Sequence, residues 1–196
     1  MSTGFEAPPT TAAWRHCDSR DGFEVARFEV SRDAVGIAGA TAAVADGEGW
    51  IAEYELELGA DWITRRALVR SVAEGGASEI LLEHDGAGSW TVNGESAPGL
   101  DGCFDADLEA SSLTNAFPVH RLGLAIGDEA DAPAAWVRAT GPTCERLEQR
   151  YRRIADGEEG HRYDYEAPDL QFQAQLEYDA SGLVIAYPGI ARRAQL

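Results

Sequence analysis

The feature that most constrains this chain is an alternation of apolar and polar residues with a period of two. Across residues 50–58, one set of side chains is apolar or aromatic and the intervening set is mainly glutamate. Residues 23–30 follow the same period for much of their length. Because successive side chains of a strand point to opposite faces, the pattern predicts strands with one buried face.

Further β-type segments recur at short intervals along the chain. They are residues 62–72, 79–84, 135–139, 161–165, 171–178 and 183–187. Asn93-Gly94 and the Asp-Ala-Ser-Gly stretch at 179–182 are typical of tight hairpin turns. Together these signals predict an all-β chain in which an antiparallel sheet curls or closes.

Helical signals are scarce. Residues 143–154 are the best helix candidate, with Thr143 as a cap, although their polar and apolar residues also alternate as in a strand. Residues 110–122 look irregular, and Pro118 excludes a central strand there. We expect a flexible N-terminal segment over residues 1–12 and a single domain over residues 13–196.

The charge balance restricts the partners. The chain has 34 acidic residues and 16 basic ones, all of them arginine, which gives a formal net charge of −18. Such a surface repels nucleic acid and anionic membranes. We interpret it as an adaptation to high salt, typical of halophilic proteins, in preference to the steering of a substrate.

The hydropathy and the N-terminal residues predict where in the cell the protein is found. No apolar run reaches the ~18 residues of a membrane span, so we expect no integral membrane segment. The first ten residues lack a basic stretch followed by an apolar one, as a signal peptide would have. The sequence therefore predicts a cytoplasmic protein.

Polar chemistry is concentrated between residues 102 and 122. In a strand, Asp105 and Asp107 would lie on one face, about 6.5–7 Å apart. With His120 they could act in a metal-assisted or acid–base hydrolase, which is one hypothesis. We favour the structural alternative, in which Asp107 accepts backbone hydrogen bonds or pairs with Arg121.

The cysteines carry no obvious chemistry. Cys17, Cys103 and Cys144 are odd in number and far apart, which argues against disulfides and zinc. A thiolate–imidazole pair of Cys103 with His120 is disfavoured, because acidic neighbours raise the pKa of a thiol. No phosphate loop or nucleophile elbow is present, so we expect no cofactor and favour a protein without catalytic activity.

Several motifs resemble a known family. Gly-Cys-Phe-Asp-Ala-Asp-Leu at 102–108 and Thr-Asn-Ala-Phe-Pro-Val-His-Arg-Leu at 114–122 resemble the core of a prokaryotic family named glycolipid-binding. That family was formerly known as a domain of unknown function. Residues 90–94, 149–151 and 179–188 are also similar to it, and the resemblance extends from about Trp14 to Arg193.

The resemblance implies a fold and a ligand. The expected fold is a spiral β-roll, or incompletely closed antiparallel barrel, with little helix and similar to lipoprotein carrier proteins. The expected ligand is a glycolipid or other amphipathic small molecule in the concave face. One departure concerns the family's Pro-Ile-Arg-Arg-Leu pattern, where His120 replaces an arginine and leaves Arg121 as the expected contact of an anionic head group.

The ligand hypothesis names a set of candidate binding residues. They are Trp90, Cys103, Asp105, Asp107, Thr114, Asn115, His120, Arg121 and Tyr151. Other aromatic residues either line the hollow or fill a solid core, namely Trp50, Tyr54, Trp62 and Trp136. A third hypothesis is a structural or interaction module that forms a homodimer through an exposed strand edge.

Overall fold

A computed structural model describes residues 4–195, which form seventeen strands, one short α-helix and three 3₁₀ helices. The strands are β1 (Thr11–His16), β2 (Asp21–Val30), β3 (Ala34–Ala45), β4 (Glu48–Gly59), β5 (Thr64–Ala73), β6 (Gly76–His84), β7 (Trp90–Val92), β8 (Glu95–Ser96), β9 (Asp105–Leu108), β10 (Glu129–Asp131), β11 (Ala134–Val137), β12 (Cys144–Leu147), β13 (Arg150–Ile154), β14 (His161–Ala167), β15 (Phe172–Tyr178), β16 (Val184–Tyr187) and β17 (Ala191–Arg193). The helix α1 spans Ala116–Leu122, and the 3₁₀ helices span Pro98–Leu100, Leu113–Asn115 and Pro168–Leu170.

Fourteen strands form one antiparallel sheet in the order β10-β13-β14-β15-β16-β17-β1-β2-β3-β4-β5-β6-β7-β8. The first and last strands are neighbours inside this sheet, because β1 pairs with β17. The sheet is not closed, since its terminal strands β8 and β10 do not pair with each other. A second sheet holds β11 parallel to β9 and antiparallel to β12. The all-β, incompletely closed architecture predicted from the sequence is confirmed.

Alternation specifies the long central strands. In β4, Trp50, Tyr54 and Leu56 are buried, while the glutamates between them face solvent. The predicted hairpin at Asn93-Gly94 joins β7 to β8, with φ of +52° and +80° at these residues. Such left-handed conformations suit an Asn-Gly turn. The second predicted hairpin, at 179–182, joins β15 to β16.

Strand β2 buries a glutamate on the same face as Ala26 and Phe28. Glu24 lies on the inner face and is fully buried, whereas Phe23 and Val25 are exposed on the outer face. The Glu24 carboxylate accepts hydrogen bonds from the Tyr54 hydroxyl (2.7 Å), the Ser112 backbone N–H (2.8 Å) and the Ser111 hydroxyl. These three donors make the burial of a carboxylate tolerable and tie β2 to the chain after β9.

The hollow of the roll is occupied by α1. Phe117 is fully buried in the larger core cluster with Trp14 and Trp62, and Val119 belongs to the second cluster with Tyr163. The prediction of an irregular segment over 110–122 is therefore wrong for its second half. Pro118 is tolerated because it stands in the first turn of α1, where backbone N–H groups have no helical acceptor.

The helix predicted over residues 143–154 is wrong, and the strand alternative is confirmed. Strands β12 and β13 occupy this stretch. Tyr151 and Arg153 are buried while Arg150 and Arg152 are exposed, so the period of two outweighs the helical capping signal at Thr143.

The N-terminal boundary also differs from the expected one. Strand β1 starts at Thr11, and Ala12 is fully buried, so the last two residues of the segment 1–12 predicted to be flexible belong to the first strand. The Glu6 backbone N–H donates to the Ala180 carbonyl at 2.8 Å. Residues 1–3 of that segment and residue 196 of the predicted domain lie outside the described residues. Between residues 4 and 195, no helix has the length and apolar character needed to cross a membrane.

Candidate functional site

A cavity of about 460 Å³ opens at one end of the roll, where the β1–β2 and β3–β4 turns meet the second sheet. Its volume lies in the range of small-molecule sites. Five aromatic side chains from distant parts of the chain line it, namely Trp50, Trp136, Tyr165, Phe172 and Tyr187. The cavity therefore lies between the two halves of the roll, beside the segment that fills the hollow.

Two arginines stand against the aromatic wall. The Arg20 guanidinium lies 5.5 Å from the ring centroid of Trp50, and that of Arg138 lies 4.4 Å from the centroid of Trp136. Glu109 joins them, because Arg20 donates to its backbone carbonyl (2.6 Å) and Arg138 pairs with its carboxylate (3.2 Å). These contacts hold both cations over the rings at the edge of the cavity.

Asp107 and Asn115 supply polar groups from the central segment. The Asp107 carboxylate accepts from the Thr114 hydroxyl (2.7 Å) and the Gln149 amide (2.6 Å), and burial raises its pKa. The Asn115 side-chain oxygen accepts from the Tyr151 hydroxyl at 2.9 Å. Of the predicted site residues, Asp107 and Asn115 thus line the cavity, while Thr114 and Tyr151 orient them.

Asp105 and Arg121 form a separate ion pair. The guanidinium donates two hydrogen bonds to the carboxylate, at 3.1 and 2.5 Å, and lies 5.4 Å from the ring centroid of Phe104. Burial raises the pKa of Asp105, and the Arg121 hydrogen bonds oppose that shift. Neither residue lines the cavity. The structure therefore places Arg121 away from the cavity edge, with its charge already matched.

His120 has a structural environment as well. Its ring stacks on Trp62 with centroids 3.5 Å apart and planes within 7°, and its Nε2 lies 3.0 Å from the Ser181 carbonyl. Its Nδ1 is buried without a partner among residues 4–195. The structure thus gives Asp105, Asp107 and His120 separate partners. Within the described part of the chain, no three side chains are placed to hold a metal ion.

Trp90 and Cys103 belong to the core. The Trp90 indole N–H donates to the Cys103 carbonyl at 2.9 Å, and both side chains are buried away from the cavity. Burial raises the pKa of the Cys103 thiol to about 11, so it is protonated at neutral pH. Tyr54 and Trp62 are likewise buried in the core, whereas Trp50 and Trp136 reach the cavity.

Several cavity residues carry no local signal in the sequence. Arg20 and Arg138 stand in or beside turns, where an arginine is ordinary. Tyr165 follows the alternation of β14 and Tyr187 ends the apolar run of β16, so neither is distinguishable from a core residue by pattern alone. Only the curvature that brings β14 and β16 opposite β4 reveals their shared site.

The buried imidazole predicts an acid-sensitive fold. Burial lowers the pKa of His120 from 6.5 to about 4. Between these values the unfolded chain binds a proton at this ring that the folded protein does not. Stability should therefore fall as the pH is lowered from 6.5 to 4, by up to about 3 kcal/mol for this group. Urea titrations measure the free energy of unfolding of the native protein and of His120→Gln at each pH. The two values should converge or cross as the pH falls, because the variant lacks this loss of stability. A difference between them that stays constant with pH would contradict the lowered pKa of His120.

Comparisons with known proteins agree with this architecture. The model of a family described as "Putative glycolipid-binding" matches residues 11–193. The chain is also similar to a crystal structure of a DUF1089 family protein from Pseudomonas aeruginosa, with 32% sequence identity and a TM-score of 0.75. That similarity covers 87% of this chain and 92% of the other. No curated protein matches the chain significantly.

Proposed function

The chain belongs to this glycolipid-binding family, and from that premise we propose that it binds a glycolipid or related amphipathic molecule without transforming it. The observation that carries the proposal is the cavity at the end of the roll, with an aromatic wall and a polar edge. Aromatic side chains suit both the faces of sugar rings and acyl chains.

The size of the cavity limits what it can hold. Its volume of about 460 Å³ lies in the lower half of the range of small-molecule sites. This space suits a monosaccharide head group with the first carbons of a chain. Because α1 fills the rest of the hollow, we propose that most of a long acyl chain would remain outside the roll.

The polar lining favours an uncharged head group. Four carboxylates line the cavity, at Asp46, Glu48, Asp107 and Glu109, against the guanidinium groups of Arg20 and Arg138. Carboxylates accept hydrogen bonds from sugar hydroxyls, and guanidinium groups donate to sugar oxygens. An anionic head group would meet a net negative lining, so a neutral saccharide fits better than a phosphate or sulfate.

The arrangement of the polar residues supports binding better than it supports hydrolysis. A hydrolase would need its acid, base and substrate position to converge. Asp105 is instead engaged by Arg121, and His120 stacks on Trp62 outside the cavity. Asp107 alone of the three lines the cavity.

A short-chain glycoside tests the proposal. We expect hexyl β-D-glucoside to bind saturably below its micelle concentration, and hexyl sulfate to bind more weakly. Trp136→Ala should weaken glucoside binding about tenfold, since it removes a stacking ring. Isothermal titration calorimetry measures both. Phe23→Ala, which removes an exposed ring outside the cavity, is the matched control. Absence of glucoside binding, or equal binding by the native protein and Trp136→Ala, would refute the proposal. Native mass spectrometry of freshly purified protein would identify any co-purified lipid.

A further inference from the structure

The outer face of the large sheet carries a continuous exposed row that neither the core nor the cavity uses. Strand register places its members side by side across β17, β1, β2, β3, β4 and β5. We call this row the outer band; it consists of Arg192, Arg15, Phe23, Ala42, Ile51 and Val72. All six are exposed.

The greater part of the outer band is apolar. Phe23, Ile51 and Val72 are 43%, 48% and 56% exposed, and Val25 and Val44 extend the apolar surface on either side. These five are most of the eight large hydrophobic residues exposed between residues 4 and 195. Scattered exposed apolar residues are ordinary, but a contiguous group on one sheet face indicates an interaction surface.

The other end of the outer band is basic. Arg15 and Arg192 stand directly opposite each other on β1 and β17. Ten of the chain's sixteen arginines lie within 4 Å of a carboxylate in the described residues, and these two do not. Like charges directly opposite each other destabilise a sheet. Asp18 and Asp21 line the same pocket as the two arginines but form no ion pair with either, so both guanidinium groups keep donors for an anionic group from outside the protein.

We propose that the outer band docks the protein on the surface of a zwitterionic lipid bilayer. The apolar side chains would enter the interface, and the two arginines would pair with lipid phosphates. The formal charge of −18 opposes a bilayer of net negative charge and also opposes a second copy of the chain. A phosphatidylcholine bilayer has no net charge, so it offers phosphates to the arginines and an apolar interior to the hydrophobic side chains without that repulsion.

The outer band and the cavity share one wall. Ile51 lies in the outer band, and the neighbouring Trp50 points to the opposite face and lines the cavity. The β3–β4 turn, which carries Asp46, stands at the edge of the cavity about 15 Å along the strand from Ile51. Docking through the outer band would therefore bring the cavity opening close to the lipid surface.

Sedimentation with phosphatidylcholine vesicles in 0.15 M NaCl tests this surface. We expect the native protein to co-sediment with the vesicles. Phe23→Thr combined with Ile51→Thr should lower the partition coefficient about tenfold or more, while threonine keeps the strand propensity. Arg15→Gln combined with Arg192→Gln should lower it about fivefold. Ile126→Thr and Arg32→Gln change exposed residues elsewhere and should bind as the native protein does.

The outcomes separate this proposal from the proposed function. Trp136→Ala should sediment with vesicles like the native protein, whatever the result of its glucoside titration. No co-sedimentation of the native protein, or equal co-sedimentation by the Phe23/Ile51 variant, would overturn the docking proposal. Light scattering that finds a native dimer dissociated by Ile51→Thr would also overturn it, because the occupant would then be a second copy.

Discussion

Asp105→Ala is expected to lower the free energy of unfolding by about 3–5 kcal/mol at pH 7. The side chains of Asp105 and Arg121 are only 3% and 15% exposed, and two hydrogen bonds join them. Removing the carboxylate leaves the guanidinium largely buried with no opposite charge. Desolvation of that charge then destabilises the folded state by more than the pair itself contributes.

Urea unfolding at pH 7 measures this loss. Asp131→Ala removes the partner of Arg150 in an exposed ion pair and is the matched control, for which little change is expected. The double variant Asp105→Ala/Arg121→Met should recover part of the stability, since no unpaired charge remains. Equal effects of the buried and the exposed substitution would show that Arg121 is not held by Asp105 as described.

Phe117→Ala is expected to lower the free energy of unfolding by a similar amount, about 3–5 kcal/mol. Phe117 is fully buried where α1 fills the hollow, and its ring lies 6.3 Å from that of Trp62. Truncation removes apolar contacts and leaves a cavity that the surrounding strands cannot close without moving. Urea or thermal unfolding, followed by tryptophan fluorescence, measures the loss.

An exposed phenylalanine provides the control for this substitution. Phe23→Ala on the outer face should change the stability by much less than Phe117→Ala, because its ring already meets solvent. If Phe117→Ala were equally mild, α1 would not be the element that fills the roll. The space open to a ligand would then be larger than the cavity described here.

The fold was largely predictable because alternation reports burial on one face of a strand. The alternation is clear in β4, where glutamates occupy most positions of the solvent-facing side across residues 50–58. In β2 apolar residues occupy both faces, so the pattern does not decide which face is buried, and the structure buries the face that carries Glu24. The deciding contacts come from Tyr54, Ser111 and Ser112, and no local pattern reveals such distant donors.

The site was less predictable than the fold. The polar motif around residues 102–122 suggested ligand chemistry, and the structure places only Asp107 and Asn115 of its candidates at the cavity. Arg121 and His120 instead hold the central segment in place, through Asp105 and Ser181. A motif of unusual composition can thus encode the packing of a buried segment, and sequence alone does not distinguish that role from binding.

The central claim is that an amphipathic ligand enters the cavity and not the core. The chain's five tryptophans allow a direct measurement, because Trp50 and Trp136 line the cavity while Trp14, Trp62 and Trp90 lie in the core. Protein labelled with 5-fluorotryptophan can be followed by ¹⁹F NMR during titration with hexyl β-D-glucoside, with resonances assigned by single Trp→Phe variants. We expect saturable shifts for Trp50 and Trp136 and unchanged resonances for the other three. Unchanged Trp50 and Trp136 resonances, or shifts confined to the core tryptophans, would contradict the account.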